Sequence, residues 1–109
     1  MRFCSGLYQG EIEFFLETEQ FSFDSFWHII NDVVKPDQVN RVQVTSWTEA
    51  RSFEKAGLVF YFEEYYDETP SRFTLRLLPF GSNHSSEEIQ KLCELVGQLE
   101  RHLEQLGLQ

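Results

Sequence analysis

Among the side chains of this sequence, the carboxylates have the spacing that is most similar to that of a catalytic site. Two carboxylates on one face of an element can act as a general acid and a general base. Glu63 and Glu64 are neighbours in a predicted strand, so their side chains point to opposite faces. Glu13 with Glu17, and Glu63 with Asp67, share a face, yet an acidic surface produces such pairs by chance. The sequence therefore predicts no catalytic pair.

Histidine and cysteine show no spacing that is typical of a metal site or an activated nucleophile. His28, His84 and His102 are far apart, and Cys4 and Cys93 lie near opposite ends of the chain. Cys93 falls on an apolar helix face, which favours a buried thiol, while a disulfide with Cys4 stays open. A Gly-rich phosphate loop, a Gly-x-Ser-x-Gly elbow and a His-Glu-x-x-His pair are all missing. We expect no enzyme, no metal and no cofactor.

The charge balance narrows the classes of partner. Acidic residues outnumber basic ones 18 to 9, for a net charge of −9. Binding to nucleic acid or to an anionic membrane needs a basic patch, so neither is expected. An acidic surface is compatible with a basic protein partner, although it also serves simply to keep a small protein soluble. Neither a secretory leader nor a membrane-spanning run is recognised, which predicts a soluble protein of the cytoplasm.

The stretch from Arg41 to Phe80 reads as antiparallel strands around which the chain is organised. In residues 58–66, Leu58, Phe60 and Phe62 alternate with polar or amphipathic residues and should face the core. Residues 67–71 predict a turn, and residues 72–77 alternate cleanly, which completes a hairpin.

Two segments before this hairpin are harder to interpret. Residues 41–47 predict a strand with Val42 and Val44 inward. Residues 48–57 fit either a short helix capped by Thr48 or a strand that ends in a three-residue turn with Gly57 left-handed. The hairpin is favoured because Gly57 directly precedes the strongest strand in the chain.

An acidic strip follows a turn placed at residues 6–10. Residues 11–19 alternate strictly, with Ile12, Phe14 and Leu16 on the inner face. The outer face carries four carboxylates, which form either a charged, solvated face or a docking strip for lysine and arginine side chains. This acidic strip consists of Glu11, Glu13, Glu17 and Glu19.

Two amphipathic helices complete the chain. The first is capped by Ser22 or Asp24 and ends before Pro36, and it buries a stripe that includes Phe26 and Trp27. The second begins with a capping box, Ser85 with Glu88, and runs to about Leu106. Its apolar stripe is wide because Leu95 lies beside it. A wide stripe fits either deep burial in the monomer or a homodimer through this helix.

The combined pattern predicts a single α+β domain over residues 1–109, with a mainly antiparallel sheet of four to six strands and two helices packed on one face. Such a plan, with this acidity, is common among small bacterial inhibitor, immunity and chaperone proteins. The leading hypothesis is a non-enzymatic module that blocks a basic partner such as a toxin or nuclease. The alternatives are a small acidic chaperone or adaptor, and a small-molecule-binding or catalytic domain. The expected partner-binding residues are Glu11, Glu13, Glu17, Glu19, Glu63, Asp67, Trp47, Tyr61 and Tyr65.

Overall fold

The computed structural model describes residues 1–41, 45–67 and 69–107. Its elements, in chain order, are β1 (Cys4–Tyr8), β2 (Glu11–Glu17), α1 (Phe23–Val34), β3 (Gln38–Arg41), β4 (Thr48–Lys55), β5 (Leu58–Tyr65), β6 (Arg72–Leu78) and α2 (Ser86–Gln105). The strands of these residues form one six-stranded antiparallel sheet in the order β1-β2-β6-β5-β4-β3. The α+β prediction is confirmed.

The core lies between one face of the sheet and the two helices. Phe26 of α1 packs on Phe62 of β5 and Phe73 of β6, with ring centroids 5.3 and 4.8 Å apart. Leu92, Leu95, Val96, Leu99 and Leu103 of α2 are buried in the same cluster. Both helices therefore pack against the sheet face that carries the alternating apolar side chains of β2, β5 and β6. We call this the inner face, and the opposite one the outer face.

The segment from residue 48 to residue 57 is a strand and a turn, so the favoured hairpin is correct. Its turn differs from the three-residue one expected. Lys55 pairs directly with Leu58, and Ala56 and Gly57 both have positive φ, 52° and 80°. Two such residues define a type I′ turn, whose twist matches that of the flanking strands.

Two strand boundaries differ from the sequence interpretation. The described strand Gln38–Arg41 overlaps the strand expected at residues 41–47 only at Arg41, and Trp47 lies in a bend before β4. Val42 and Val44 lie outside the described residues. Gly6 lies inside β1, and the first turn is Gln9 and Gly10 alone, because Tyr8 pairs directly with Glu11.

Both helices are capped by residues that the sequence indicates, whereas the buried face of α2 differs from the prediction. Ser22 and Ser85 each form a capping box at a helix N-terminus. Cys93 is exposed, so the expected buried thiol is wrong, and both cysteines are free. Leu95 is buried instead, at 5% exposure, which accounts for the wide apolar stripe within one monomer. The homodimer through α2 stays a prediction.

Candidate functional site

The outer face of the sheet holds a groove of about 510 Å³. Strands β1, β2, β4, β5 and β6 contribute to it, together with the loop after β6. Its lining combines aromatic rings with charged groups, as interface cores often do. The lining residues are Tyr8, Glu13, Thr48, Tyr61, Glu63, Tyr65, Arg72, Thr74, Arg76 and Phe80.

Glu63 lies on the outer face between two small cross-strand neighbours. Glu63 pairs with Ala50 on β4 and with Thr74 on β6. Both neighbours have short side chains and are buried, at 4% and 6% exposure. Tyr61 and Tyr65 flank Glu63 along its own strand, because residues two apart share a face. Glu63 therefore has a tyrosine on either side along β5 and a small residue on either side across the sheet.

Each arginine of the outer face combines one carboxylate with an aromatic ring. Arg72 donates to Glu13 at 2.8 Å, and its guanidinium lies 4.0 Å from the centroid of the Phe15 ring. Arg76 donates to Glu11 at 3.2 Å and lies 4.3 Å from the Phe80 ring. A guanidinium over an aromatic face is attracted by the ring quadrupole. These contacts hold the two arginines in place across the β2–β6 pair.

Tyr61 and Glu63 form a hydrogen-bonded pair within the groove. The Tyr61 hydroxyl donates to Oε2 of Glu63 at 2.7 Å. Burial raises the pKa of Tyr61 above its ordinary value, and the hydrogen bond and charge of Glu63 raise it further. The hydroxyl thus remains a donor at neutral pH. Its ring packs edge-on against Phe80, with centroids 5.1 Å apart.

The charge on the outer face is unevenly compensated. Glu11 and Glu13 are each paired with an arginine, and both are largely buried. Among the described residues, no lysine or arginine forms an ion pair with Glu17 or Glu63. These two carboxylates carry the unneutralised negative charge of the face.

A second polar cluster lies where β2 meets the loop before α2. His84 is buried between Glu11 and Glu88, with nitrogen–oxygen distances of 3.8 and 3.7 Å. Glu11 also accepts from the backbone N–H of Gly81 at 3.0 Å. Glu88 completes the capping box of α2, and its hydrogen bonds with Ser85 lower the pKa of its carboxyl. Glu11 therefore ties the sheet to the start of α2.

The structure brings together only part of the expected binding set. Tyr61, Glu63, Tyr65 and Glu13 line the groove, and Glu17 is exposed on the same face at the end of β2. The other expected residues do not line it: Glu11 is buried in its ion pair, and Glu19, Trp47 and Asp67 lie in bends. The four carboxylates of the acidic strip are thus not one continuous exposed strip, because β6 places two arginines beside it.

Strand alternation placed Arg72, Thr74 and Arg76 outward, and Arg72 and Arg76 were expected on the face of Tyr61 and Glu63, although not as binding residues. Sequence reasoning did not assign Tyr8, Thr48, Thr74 or Phe80 to the site. Tyr8 and Phe80 could not be assigned in this way, because one depends on the position of β1 and the other follows the end of β6.

Glu64 lies outside the groove and has an unusual environment. It is on the inner face, directly opposite Glu49. Burial raises the pKa of Glu64, and the Glu49 charge adds to this, while a hydrogen bond with Ser71 acts in the opposite direction. A raised folded-state pKa means that the contribution of this group to stability is present in acid and is lost as the pH rises through that pKa.

We therefore expect Glu64→Gln to raise the free energy of unfolding at pH 7 by about 0.5 kcal/mol, since it removes a like-charge cross-strand pair. At pH 3 the Glu64 carboxyl is protonated, because its pKa is raised, and the gain should vanish. Urea denaturation at the two pH values measures the difference. Glu49→Gln relieves the same repulsion and serves as the matched variant. An equal gain at both pH values would contradict an electrostatic origin.

The remaining candidate sites are smaller or shallower. A cleft of about 200 Å³ lies where Val34, Ala56, Phe60 and Leu95 approach one another. None of the three histidines lines the outer-face groove, and His102 borders a shallow depression with Asp32. Over the described ranges, no three His, Cys, Asp or Glu side chains are placed to hold a metal ion. Neither described helix is long and apolar enough to cross a bilayer.

The fold and the groove together define a class: an α+β domain with helices against one face of an antiparallel sheet and a charged, aromatic groove on the other. Comparison of the chain with family models, with curated proteins and with solved structures found no match. Any functional proposal therefore depends on the geometry of the outer face.

Proposed function

We propose that this protein is a non-enzymatic binding module whose outer sheet face docks a basic protein partner. The observation that carries the proposal is the groove, in which aromatic rings surround the Glu63 carboxylate, with Glu17 exposed on the same face. Interface cores are enriched in tyrosine and arginine, and complementary charge speeds association. The most concrete form is an acidic inhibitor or immunity-type protein of a bacterial cell that blocks a toxin or nuclease.

The charge of the whole chain supports a basic partner over an acidic one. A net charge of −9 repels polyanions and attracts cationic surfaces over the screening distance of about 8–10 Å at physiological salt. Two free, exposed cysteines fit a reducing compartment, which supports the proposal of a cytoplasmic protein. A chaperone or adaptor role would use the same face with a broader set of partners.

The proposal is tested by capturing the partner from a native lysate at low salt and then measuring association rates. We expect a basic protein whose association slows at least about tenfold between low and high salt. The variant Glu17→Lys/Glu63→Lys should slow association at low salt by a similar factor. Glu13 is left intact, because reversing its charge would break the ion pair with Arg72 as well as change the surface.

The matched control is Glu94→Lys/Glu104→Lys, two exposed positions of α2 on the other side of the molecule. It changes the net charge by the same amount, so it separates the location of charge from its total. We expect it to slow association far less than the outer-face variant. Equal effects of the two variants, or no effect of either, would contradict docking on the outer face.

A second candidate function is small-molecule binding, which the groove volume of about 510 Å³ favours. Ligand pockets usually measure about 300–1,000 Å³. Thermal-shift screening of small metabolites tests this function separately. A shift abolished by a groove substitution, together with no captured protein, would favour it over a protein partner.

A further inference from the structure

Strand β1 is an edge of the sheet, and it pairs with β2 on one side only. The turn at residues 9–10 has two positive φ values, 52° and 82°, and it joins Tyr8 directly to Glu11. Such a two-residue turn is closed by a hydrogen-bonded pair, and hydrogen-bonded pairs then alternate along the ladder with non-hydrogen-bonded ones. The backbone N–H and C=O groups of Ser5 and Leu7 therefore point away from β2, towards the free edge.

These four backbone groups have no partner within the described residues. No hydrogen bond of a turn, loop or cap reaches Ser5 or Leu7. The edge is covered at its start, where the N–H of Phe3 donates to Oε2 of Glu100 in α2 at 2.8 Å. Leu7 shares the inner face with Ile12, yet it is 74% exposed, more than any other large apolar side chain that the structure describes. Free donors and acceptors beside an exposed leucine form a template for another strand.

The composition of β1 indicates which strand it can accept. Of the six strands in the described part of the chain, β1 is the one without a charged residue, whereas the opposite edge strand, β3, carries Arg41. Neither a lysine, a proline nor a bulge protects the β1 edge. Two copies of a chain with a net charge of −9 repel each other wherever their acidic surfaces meet. Along β1 they can approach without placing like charges opposite each other.

We propose that β1 pairs with β1 of a second copy of this chain, antiparallel and across a two-fold axis beside Gly6, so that the two sheets become one continuous sheet. Ser5 of each copy then forms a hydrogen-bonded pair with Leu7 of the other, which satisfies the free backbone groups of both copies. The two Gly6 residues face each other as a non-hydrogen-bonded pair. This inference goes beyond the proposed function, because it uses a sheet edge and leaves the outer-face groove open.

The free backbone groups select this register over its neighbours. Centring the pair on Ser5 would set Leu7 opposite Phe3, whose N–H is already bound by Glu100. Centring it on Leu7 would set Ser5 beyond the end of β1. Centring it on Gly6 uses both open residues of each copy and brings the two glycine Cα atoms to about 4.5 Å. Glycine within a strand often marks a place where another backbone approaches closely.

Sedimentation equilibrium of the full chain over a range of concentrations tests the dimer. We expect a weak dimer, with a dissociation constant of about 100 μM, because the shared strand is short. Dimerisation should strengthen as salt is raised, since screening reduces the repulsion between two acidic chains. Association with a basic partner should weaken under the same change, so the two proposals are tested separately. A chain that stays monomeric well above this concentration, at low and at high salt, would overturn the inference.

A matched pair of lysine substitutions locates the interface. Leu7→Lys places two like charges beside the two-fold axis, and it should weaken dimerisation at least about tenfold. Leu106→Lys makes the same chemical change at the C-terminal end of α2, where the leucine is 54% exposed. It should leave the dissociation constant within about twofold. Loss of the dimer in Leu106→Lys with retention in Leu7→Lys would assign the interface to α2 and overturn the edge pairing.

Single thiols in β1 test the register. The Gly6 pair falls within the Cα separation of about 4.4–6.8 Å that a disulfide spans, so Cys4→Ser/Gly6→Cys/Cys93→Ser should form a covalent dimer under mild oxidation. A β-carbon at Gly6 meets its nearest neighbour, the Phe15 ring, at an ordinary 3.5 Å. The control Cys93→Ser keeps Cys4, whose two copies would lie roughly 13 Å apart along the strands, and it should stay unlinked. Equal crosslinking of the two variants, or crosslinking of the control alone, would contradict the proposed pairing.

Discussion

Replacing Phe26 by alanine is expected to lower the free energy of unfolding by about 3–5 kcal/mol. Phe26 is fully buried, and its ring contacts Phe21 of the preceding loop, Phe62 of β5 and Phe73 of β6. The substitution removes the ring that joins α1 to two central strands and leaves a cavity that close-packed neighbours cannot fill. Small domains have only about 5–15 kcal/mol of total stability, so this variant should lie close to unfolding.

Denaturation by urea, followed by circular dichroism, measures the loss. Phe80→Ala is the matched control, because Phe80 is also aromatic but lies 46% exposed on the outer face. It should cost about 1 kcal/mol or less. Similar losses for the two variants would contradict the placement of Phe26 at the centre of the core.

Replacing Arg76 by alanine should lower the free energy of unfolding by about 3 kcal/mol, which is the second large effect. The Arg76 side chain is only 11% exposed and the Glu11 side chain only 15%. Removing the guanidinium leaves the Glu11 carboxylate in a mostly buried position without its cation. The contacts of Arg76 with the rings of Tyr8 and Phe80 are lost as well.

Two comparisons separate the charge effect from lost packing. Arg51→Ala also removes a guanidinium that lies over two aromatic rings, but its partner Asp24 is 76% exposed, so it should cost about 1 kcal/mol or less. The double variant Arg76→Ala/Glu11→Ala should be more stable than Arg76→Ala alone, because the unpaired carboxylate is gone. Additive losses in the double variant would show that the two side chains are not coupled.

Several elements could be predicted from local pattern. The strict alternation of β2 and of the β5–β6 hairpin identified their inner residues, and each inner residue of the hairpin from Phe60 onward is buried. The capping box of Ser85 with Glu88 involves residues three apart, so it too was visible in the sequence, whereas the sequence left Ser22 and Asp24 as alternative caps of α1 and the structure has Ser22. Local pattern predicted the wrong burial for Cys93. The apolar stripe of α2 is wide, and the pattern did not show that its edge at Cys93 is exposed while its edge at Leu95 is buried.

The sequence by itself determined which residues face outward on each strand, since side chains alternate by geometry alone. It placed Tyr61, Glu63 and Tyr65 on one face of β5. Only the tertiary structure decided what those residues meet. Strand β6 lies between β2 and β5. This order pairs Arg72 with Glu13 and Arg76 with Glu11, which lie 59 and 65 positions earlier in the chain.

This long-range pairing is why half of the acidic strip is neutralised while Glu63 is not. An antiparallel strand can pair with any strand of compatible pattern, so neither alternation nor spacing reveals which partner it takes. The small residues Ala50 and Thr74 beside Glu63 follow from the registers of β4 and β6 against β5, which no local signal contains. The groove therefore belongs to the assembled sheet, although all of its residues except Phe80 were already turned outward by their own strands.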